Sequence, residues 1–342
     1  MDLFAFTRAL VDIESVTGNE ERAALFVRDF LRRAGFEAEL WEAEPRRPNV
    51  WAAVGRPRTV LSTHLDTVPP FFPSAEDDRC LYGRGACDAK GIAAAQIFAA
   101  LRLRERGARD FGLLFLVGEE KNSTGAQAAN RRPQGSEFLI NGEPTDSRMA
   151  TAGKGTLRVD LAARGRMAHS AYPELGDSAI DKLLAALARV RALALPQDPL
   201  LGPTTCNIGV IGGGRAPNVV ADQARAELLF RLVAPSEALR QEIAAAVAGL
   251  AEAKFLLEIP PVRLETLAGF PTAAVAFTTD IPALSAWGRP LLFGPGSIQV
   301  AHTEREYVAK AELARAVEAY AEIVTRLNAG EIQDAEPNAK SG

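Results

Sequence analysis

Seven side chains in this sequence could together hold and use divalent metal ions: His64, Asp66, Asp88, Glu119, Glu120, Glu143 and His302. The chain has only three histidines, His64, His169 and His302, so each can be weighed individually. A site that hydrolyses an amide with two cations has definite needs. One carboxylate must bridge ions held about 3.5–4 Å apart, with a histidine or carboxylate completing each side. One coordination position must stay open for water. An unligated acid/base must lie within about 3 Å of that water and carry its proton to the leaving nitrogen. His64 and His302 with Asp88, Glu120 and Glu143 supply the ligands, which leaves Glu119 as the base. Asp66, two residues beyond His64, can accept from the second ring nitrogen and set its tautomer.

Taken one at a time these signals are weak. A His-x-Asp pair is usually a turn with a local hydrogen bond, and adjacent glutamates usually mark a solvated loop. Placement distinguishes them here. Residues 36–41, 49–54, 59–63, 111–117 and 137–141 read as strands, and 90–103 as an Ala-rich helix. Asn19 is expected to cap a helix over 20–34 that stops at Gly35. This alternation indicates an α/β layer on a central mixed sheet. His64 and Asp66 directly follow one strand, Glu119 and Glu120 another, and Glu143 a third; His302 lies in a loop after a strand at 290–293. Asp88 sits just before the Ala-rich helix. In open α/β sheets ligands gather beyond the carboxyl ends of the strands, so separate strand ends deliver imidazoles and carboxylates to one rim. Glu119 and Glu120 leave a buried strand through a single glycine, and a divalent cation would compensate carboxylates placed there.

The texture changes after about residue 155. Strand-like runs at 156–163, 204–211, 224–233 and 254–259 alternate with helical ones at 178–194 and 236–251, with Gly212-Gly213-Gly214 as a turn region. The order β-α-β-β-α-β is the ferredoxin-like signature, and both its ends return to one place, as an inserted domain requires. The expected division is therefore residues 1–154 and 268–330 for the metal-binding domain and 155–267 for an inserted ferredoxin-like lid. A terminal helix is expected at 310–327 and a flexible tail at 331–342.

Composition narrows the class. The net charge of −4 argues against a nucleic-acid footprint. No run approaches the roughly 20 apolar residues of a membrane span, and the N-terminal residues do not resemble a signal peptide. Cys80, Cys87 and Cys206 are an odd, scattered set, which fits a reducing, cytoplasmic setting and no thiolate metal cage. Gly83-Arg84-Gly85 alone is too short a signal for a phosphate cradle and reads as backbone freedom ahead of Asp88. A phosphoesterase, or a catalytically inactive binding protein of the same fold, is the competing class; an inactive relative would usually lack a ligand or the base, and none is missing.

His64-Leu65-Asp66, the run from Gly83 through Asp88 to Gly91, Gly118-Glu119-Glu120, Glu143-Pro144-Thr145 and Ala301-His302 resemble, in order, the signature of a zinc amidohydrolase family. That family contains acetylornithine deacetylase, succinyl-diaminopimelate desuccinylase, aminoacylase and carboxypeptidase G. The resemblance implies one metal held by His64, Asp88 and Glu143 and the other by Asp88, Glu120 and His302, with Asp66 supporting and Glu119 as general base. It implies two zinc ions, with cobalt or manganese as substitutes. It also implies that His169, in Gly165-Arg166-Met167-Ala168-His169-Ser170, polarises the scissile carbonyl, often from the partner subunit of a homodimer formed through the lid. Asn218 and Arg231 would grip the substrate carboxylate. Ala89, where the family commonly has Met, and Asn122, where a glycine often stands, depart from the pattern without removing a ligand. Gly294-Pro295-Gly296-Ser297-Ile298 looks most like the acetylornithine deacetylase branch. The expected substrate is thus a small N-acylated amino acid such as acetylornithine, acetylcitrulline or acetyllysine, with desuccinylase or carboxypeptidase/dipeptidase activity as the alternative.

Overall fold

The computed structural model describes residues 1–332. In chain order its main elements are α1 (Leu3–Val11), α2 (Glu21–Arg33), β1 (Glu37–Glu44), β2 (Arg47–Val54), β3 (Thr59–His64), α3 (Lys90–Glu105), β4 (Phe111–Leu116), α4 (Thr124–Asn130) and β5 (Phe138–Asn141). Then come β6 (Gly155–Arg164), α5 (Ala179–Arg191), β7 (Thr205–Gly213), β8 (Gln223–Leu232), α6 (Glu237–Val247), β9 (Glu252–Ile259), β10 (Arg289–Leu292) and α7 (Lys310–Asn328). Two compact units result among the described residues: one takes residues 1–151, 264–273 and 279–332, the other 152–263 and 274–278.

The first unit is built on a six-stranded mixed sheet in the order β1-β2-β4-β3-β5-β10. β4, β3, β5 and β10 run parallel, while β2 is antiparallel to both of its neighbours, β1 and β4. β4, Phe-Gly-Leu-Leu-Phe-Leu, is buried at every residue because it is an inner strand covered on both faces. α3 is apolar nearly all round for the same reason, and Ile92, Ala93, Ala94, Ala95 and Ile97 are fully enclosed. On one face Phe6, Phe30 and Phe98 join the cluster that α1, α2, α3 and α7 form with the sheet. On the other, Trp41, Trp51 and Trp287 pack together.

Two local expectations are corrected. Asn19 does not cap α2: the N-cap position is Glu20, whose buried carboxylate accepts from Gly18 and pairs with Arg47. The cap site is taken by an ion pair formed across 27 residues of chain, which the local sequence does not announce. The segment ahead of it forms α1, capped by Asp2, whose side chain accepts from the Ala5 amide at 2.9 Å. Gly212 and Gly213 are not a turn but continue β7, paired with Arg225 and Ala224; a Cβ at Gly213 would stand 2.7 Å from that of Ala224.

The second unit is a four-stranded antiparallel sheet in the order β7-β8-β6-β9, with α5 and α6 packed on it through Leu183, Leu187, Leu239 and Ile243. Its β-α-β-β-α-β order and strand arrangement are ferredoxin-like. Ser178 caps α5 by accepting from Asp181. The expected tail at 331–342 falls, from residue 333, outside the described residues.

Candidate metal centre

Four parallel strands finish on one rim of the first unit. β3 ends in His64, followed by Leu65 and Asp66; β4 leads into Gly118-Glu119-Glu120; β5 leads through Gly142 to Glu143; and β10 precedes the loop that carries His302. Asp88 stands two residues before the start of α3. Hydrophobic burial of the strands thereby sets the position of each polar side chain that follows.

At this rim the donor atoms of His64, Asp88 and Glu143 lie within 4.8 Å of one another, and so do those of Asp88, Glu120 and His302. Asp88 belongs to both triads. Its Oδ1 is 3.0 Å from Nε2 of His64, and its Oδ2 is 3.3 Å from Nε2 of His302. His302 Nε2 is also 3.0 Å from Oε2 of Glu120, and His64 Nε2 is 3.8 Å from Oε2 of Glu143. His302 is the exposed member and holds a left-handed backbone, φ 63°, uncommon outside glycine and typical of sites that over-determine their geometry.

Asp66 supports the centre in more than one way. The Nδ1 of His64 meets the main-chain carbonyl of Asp66 at 3.0 Å, with the carboxylate Oδ1 farther off at 3.5 Å. A carbonyl can only accept, so the imidazole carries its proton on Nδ1 and presents Nε2 to the two triads' shared carboxylate. The Asp66 carboxylate itself accepts from the amides of Glu119 and Glu120 and from the hydroxyl of Thr17. The tautomer is thus held chiefly by backbone, and the carboxylate holds the paired-glutamate loop.

Electrostatics follow from burial. Burial pushes Glu143 up to about 8 against the offsetting bond from His64. Glu119 is raised well above the ordinary carboxylate range by burial and by the neighbouring charge of Glu143, and Glu120 is raised by burial as well. Asp88 goes the other way: His302 and His64 overcome its burial and hold it below the usual range. His302 is raised to about 10 by Asp88 and Glu120, and His64 is raised although burial alone would lower it.

Asp280 is a member that sequence reasoning missed. It is fully buried, neither carboxylate oxygen accepts a hydrogen bond of good geometry, and burial pushes it up to about 7, with His64, Asp66 and Glu120 within electrostatic range. Asp280 occupies the N-cap position of a short helix, Ile281–Leu284, but its side chain makes no capping bond.

Six carboxylates, those of Asp66, Asp88, Glu119, Glu120, Glu143 and Asp280, therefore face two imidazoles, and Oε1 of Glu143 has no hydrogen-bond partner among the described residues. Mixed nitrogen and oxygen donors in two triads with a shared carboxylate, and negative charge in excess, fit two divalent cations. Among the two expected departures, Ala89 is fully buried at the start of α3, and Asn122 stays in its loop by donating to the Gly118 carbonyl and accepting from Thr124.

His169, Asn218 and Arg231 belong to the second unit. The first two come together: His169 bridges to Val219, the Ser170 amide donates to the Asn218 carbonyl, and Nδ1 of His169 accepts from the Ala171 amide. That acceptance leaves Nε2–H of His169 free to donate. Arg231 lies apart on β8, bonded to the Thr156 hydroxyl, with burial lowering its pKa.

A mixed sheet whose strand ends converge on two carboxylate-sharing triads is the framework of a metallopeptidase-like hydrolase. The chain belongs to peptidase family M20/M25/M40, whose model matches residues 60–326. It is 39% identical to a peptidase M20 domain-containing protein of Schizosaccharomyces pombe, over 94% of this chain and 84% of that one. It is 42% identical to a probable carboxypeptidase of Aspergillus clavatus, over 94% of this chain and 82% of that one. In fold it is similar to a tripeptidase from Staphylococcus aureus, with a TM-score of 0.81 at 22% identity, covering 95% of this chain and 98% of the other. The deacetylase branch finds no support among these relatives.

Proposed function

We propose that this chain hydrolyses the amide bond joining an acyl or aminoacyl group to an amino acid with a free α-carboxylate, using two divalent metal ions. The observation that carries the reading is Asp88, whose two oxygens face two separate histidines, with Glu119 within electrostatic range of Glu143 and Glu120. One metal would be held by His64, Asp88 and Glu143, the other by Asp88, Glu120 and His302. When bound, the ions lower the pKa of water and polarise the carbonyl as Lewis acids; zinc suits the donors, as cobalt or manganese would.

Glu119 takes the proton of the attacking water and returns it to the departing amine. Its raised pKa without metal makes it a ready proton acceptor only once cations stabilise the neighbouring charges, which brings it back toward neutrality. Asp66 holds its loop in register. The Nε2–H of His169 donates to the carbonyl oxygen as negative charge develops there. Arg231 holds the substrate carboxylate, a role for which a planar guanidinium is suited, and Asn218, which lies apart from it beside His169, would reach that carboxylate from a second copy. The second unit, residues 155–267 in the sequence division, acts as a lid. It carries an edge strand, β7, with Val210 and Ile211 exposed, through which a second copy would add.

Both a carboxypeptidase or dipeptidase and an N-acyl amino acid deacylase break this same bond. The relative named a probable carboxypeptidase favours the first of these over an acetylornithine-type deacetylase. The deciding experiment is a chelator-controlled panel of dipeptides, tripeptides, N-acetylornithine, N-acetylcitrulline, N-acetyllysine, N-succinyl-diaminopimelate and an N-acylglutamate. Turnover of peptides above all N-acyl amino acids supports the carboxypeptidase reading. Selective turnover of N-acetylornithine or its neighbours restores the deacetylase one. Turnover that survives complete metal removal sinks the two-metal mechanism.

A further inference from the structure

The run Gly83-Arg84-Gly85-Ala86-Cys87-Asp88 is not shaped by its glycines alone. The carboxylate of Glu306 lies inside it, fully buried. Its Oε1 accepts from three main-chain amides of the run: Gly85 at 2.9 Å, Cys87 at 3.1 Å and Asp88 itself at 3.0 Å. Its Oε2 accepts from Arg84 Nη1 at 2.6 Å, and its main-chain carbonyl accepts from the Gly83 amide at 3.1 Å. Arg84, equally buried, is held in turn by the Pro70 carbonyl and lies over the ring of Phe72. Immediately after Glu306, residues Tyr307–Ala309 pair with Cys80–Tyr82, immediately before the run.

Converging amides of this kind make an anion-binding concavity, and here the anion is supplied by the chain. Its two ends matter. At one end is Asp88, the carboxylate common to both triads; at the other, four residues before Glu306, is His302, which faces Asp88 at 3.3 Å. We infer that Glu306 is a positioning residue for the metal centre: it clamps the Asp88 run and the His302 segment to each other and thereby sets the spacing of the shared carboxylate. The inference rests on the two-metal reading above. A buried carboxylate is costly unless it is fully bonded, and this one binds only the loop that ends in Asp88 and the strand junction behind it. Removing it leaves three enclosed N–H groups and a guanidinium without their acceptor.

The test compares Glu306→Ala and Glu306→Gln with the wild type. The readouts are metal binding to the metal-free full-length protein, by competition with a chromophoric zinc chelator, and the visible spectrum of the cobalt-loaded protein. Glutamine keeps the shape and one acceptor oxygen but loses the charge, so it separates geometry from folding if alanine fails to fold. The wild type is expected to take up two ions. Because Asp88 serves both triads, Glu306→Gln is expected to weaken both binding steps and Glu306→Ala to weaken them further, by about 10- to 100-fold, the range for residues that orient ligands. The cobalt spectrum should shift in both. Variants that merely melt earlier, yet bind two ions with wild-type affinity and spectrum, overturn the assignment alone. A wild-type protein that takes up no metal overturns the two-metal reading itself.

Discussion

The main-chain amide of Glu119 donates to Oδ1 of Asp66 at 3.1 Å, so the residue assigned as base is held by a carboxylate 53 positions earlier in the chain. The next amide, of Glu120, donates to the other oxygen of the same carboxylate at 3.2 Å. One side chain thus sets the loop that carries both a proposed ligand, Glu120, and the proposed proton carrier, Glu119. Asp66→Ala is expected to lower kcat/KM by about 10- to 100-fold, the cost of losing a group that orients metal ligands. Asp66→Asn should do less harm to metal content than to turnover, because the backbone carbonyl at residue 66 still holds the His64 proton. Metal analysis beside steady-state kinetics checks both.

Glu119 accepts no metal in the arrangement described, and its substitution separates binding from proton transfer. Glu119→Gln should retain two ions per chain while turnover falls by about 10²–10⁴-fold, the contribution general to acid–base groups. Near-normal turnover would remove Glu119 from that role.

The metal-free centre stores protons. At neutral pH His302, raised to about 10, and Glu143, raised to about 8, are both protonated. Metal ligands must be deprotonated, so loading releases protons and the affinity climbs as pH rises from about 6 toward about 10. Calorimetric titration in two buffers of different ionisation enthalpy measures the number released; a heat independent of buffer would contradict the assignment. Stability runs the opposite way. The gain from His302 is fully present below about 6.5 and disappears as pH rises through about 10. Glu143, raised from the ordinary 4.5 to about 8, loses its contribution between those two values, so that loss is complete above about 8, while Lys90, which burial lowers from 10.5 to about 7, works the other way as pH rises through that range. The metal-free protein should therefore melt earlier in alkali, and metal should restore it.

Gly294 stands where nothing larger fits. A Cβ there would lie 2.4 Å from the Glu143 carbonyl oxygen, a backbone atom that cannot swing aside. Gly294→Ala is expected to cost about 1–3 kcal/mol, as overpacking does, and to displace Glu143. Its signature is a loss at the ion held by Glu143 in excess of the loss at the other, seen in stepwise metal titration.

Trp287 is fully buried against Trp51 and donates its indole N–H to the Ala129 carbonyl at 3.2 Å, on the sheet face away from α3. Trp287→Ala should destabilise the first unit by about 3–5 kcal/mol, measured by denaturant unfolding.

Much of the centre was legible in the chain because His64, Glu120 and Glu143 directly follow apolar strands, Asp88 precedes an Ala-rich helix and His302 lies in a loop beyond a fourth strand. Leu113 to Val117 marks an inner strand by composition alone, and the residues leaving it must surface at the rim. His64, Asp88, Glu120, Glu143 and His302 were found this way, and the structure brings their donor atoms into two triads. The Gly294-Pro295-Gly296 motif carried less meaning in the sequence than it does in space: it suggested a substrate, whereas Gly294 abuts Glu143 and Gly296 abuts Cys87.

The sequence by itself determined the strand and helix alternation, the insertion of a β-α-β-β-α-β unit, and which acidic and imidazole groups emerge at strand ends, because hydrophobic period and chain order are local properties. The tertiary structure alone decided the roles of Glu20, Asp280 and Glu306. Glu20 answers Arg47 instead of an Asn19 cap; Asp280 joins the acidic cluster from the start of a short helix; Glu306 fills the Asp88 run from a segment more than 200 residues away. Each is a buried acid whose surroundings come from distant parts of the chain, Arg47 for Glu20, Arg84 for Glu306 and the His64 and Glu120 segments for Asp280, and no window of sequence contains all members of such a set.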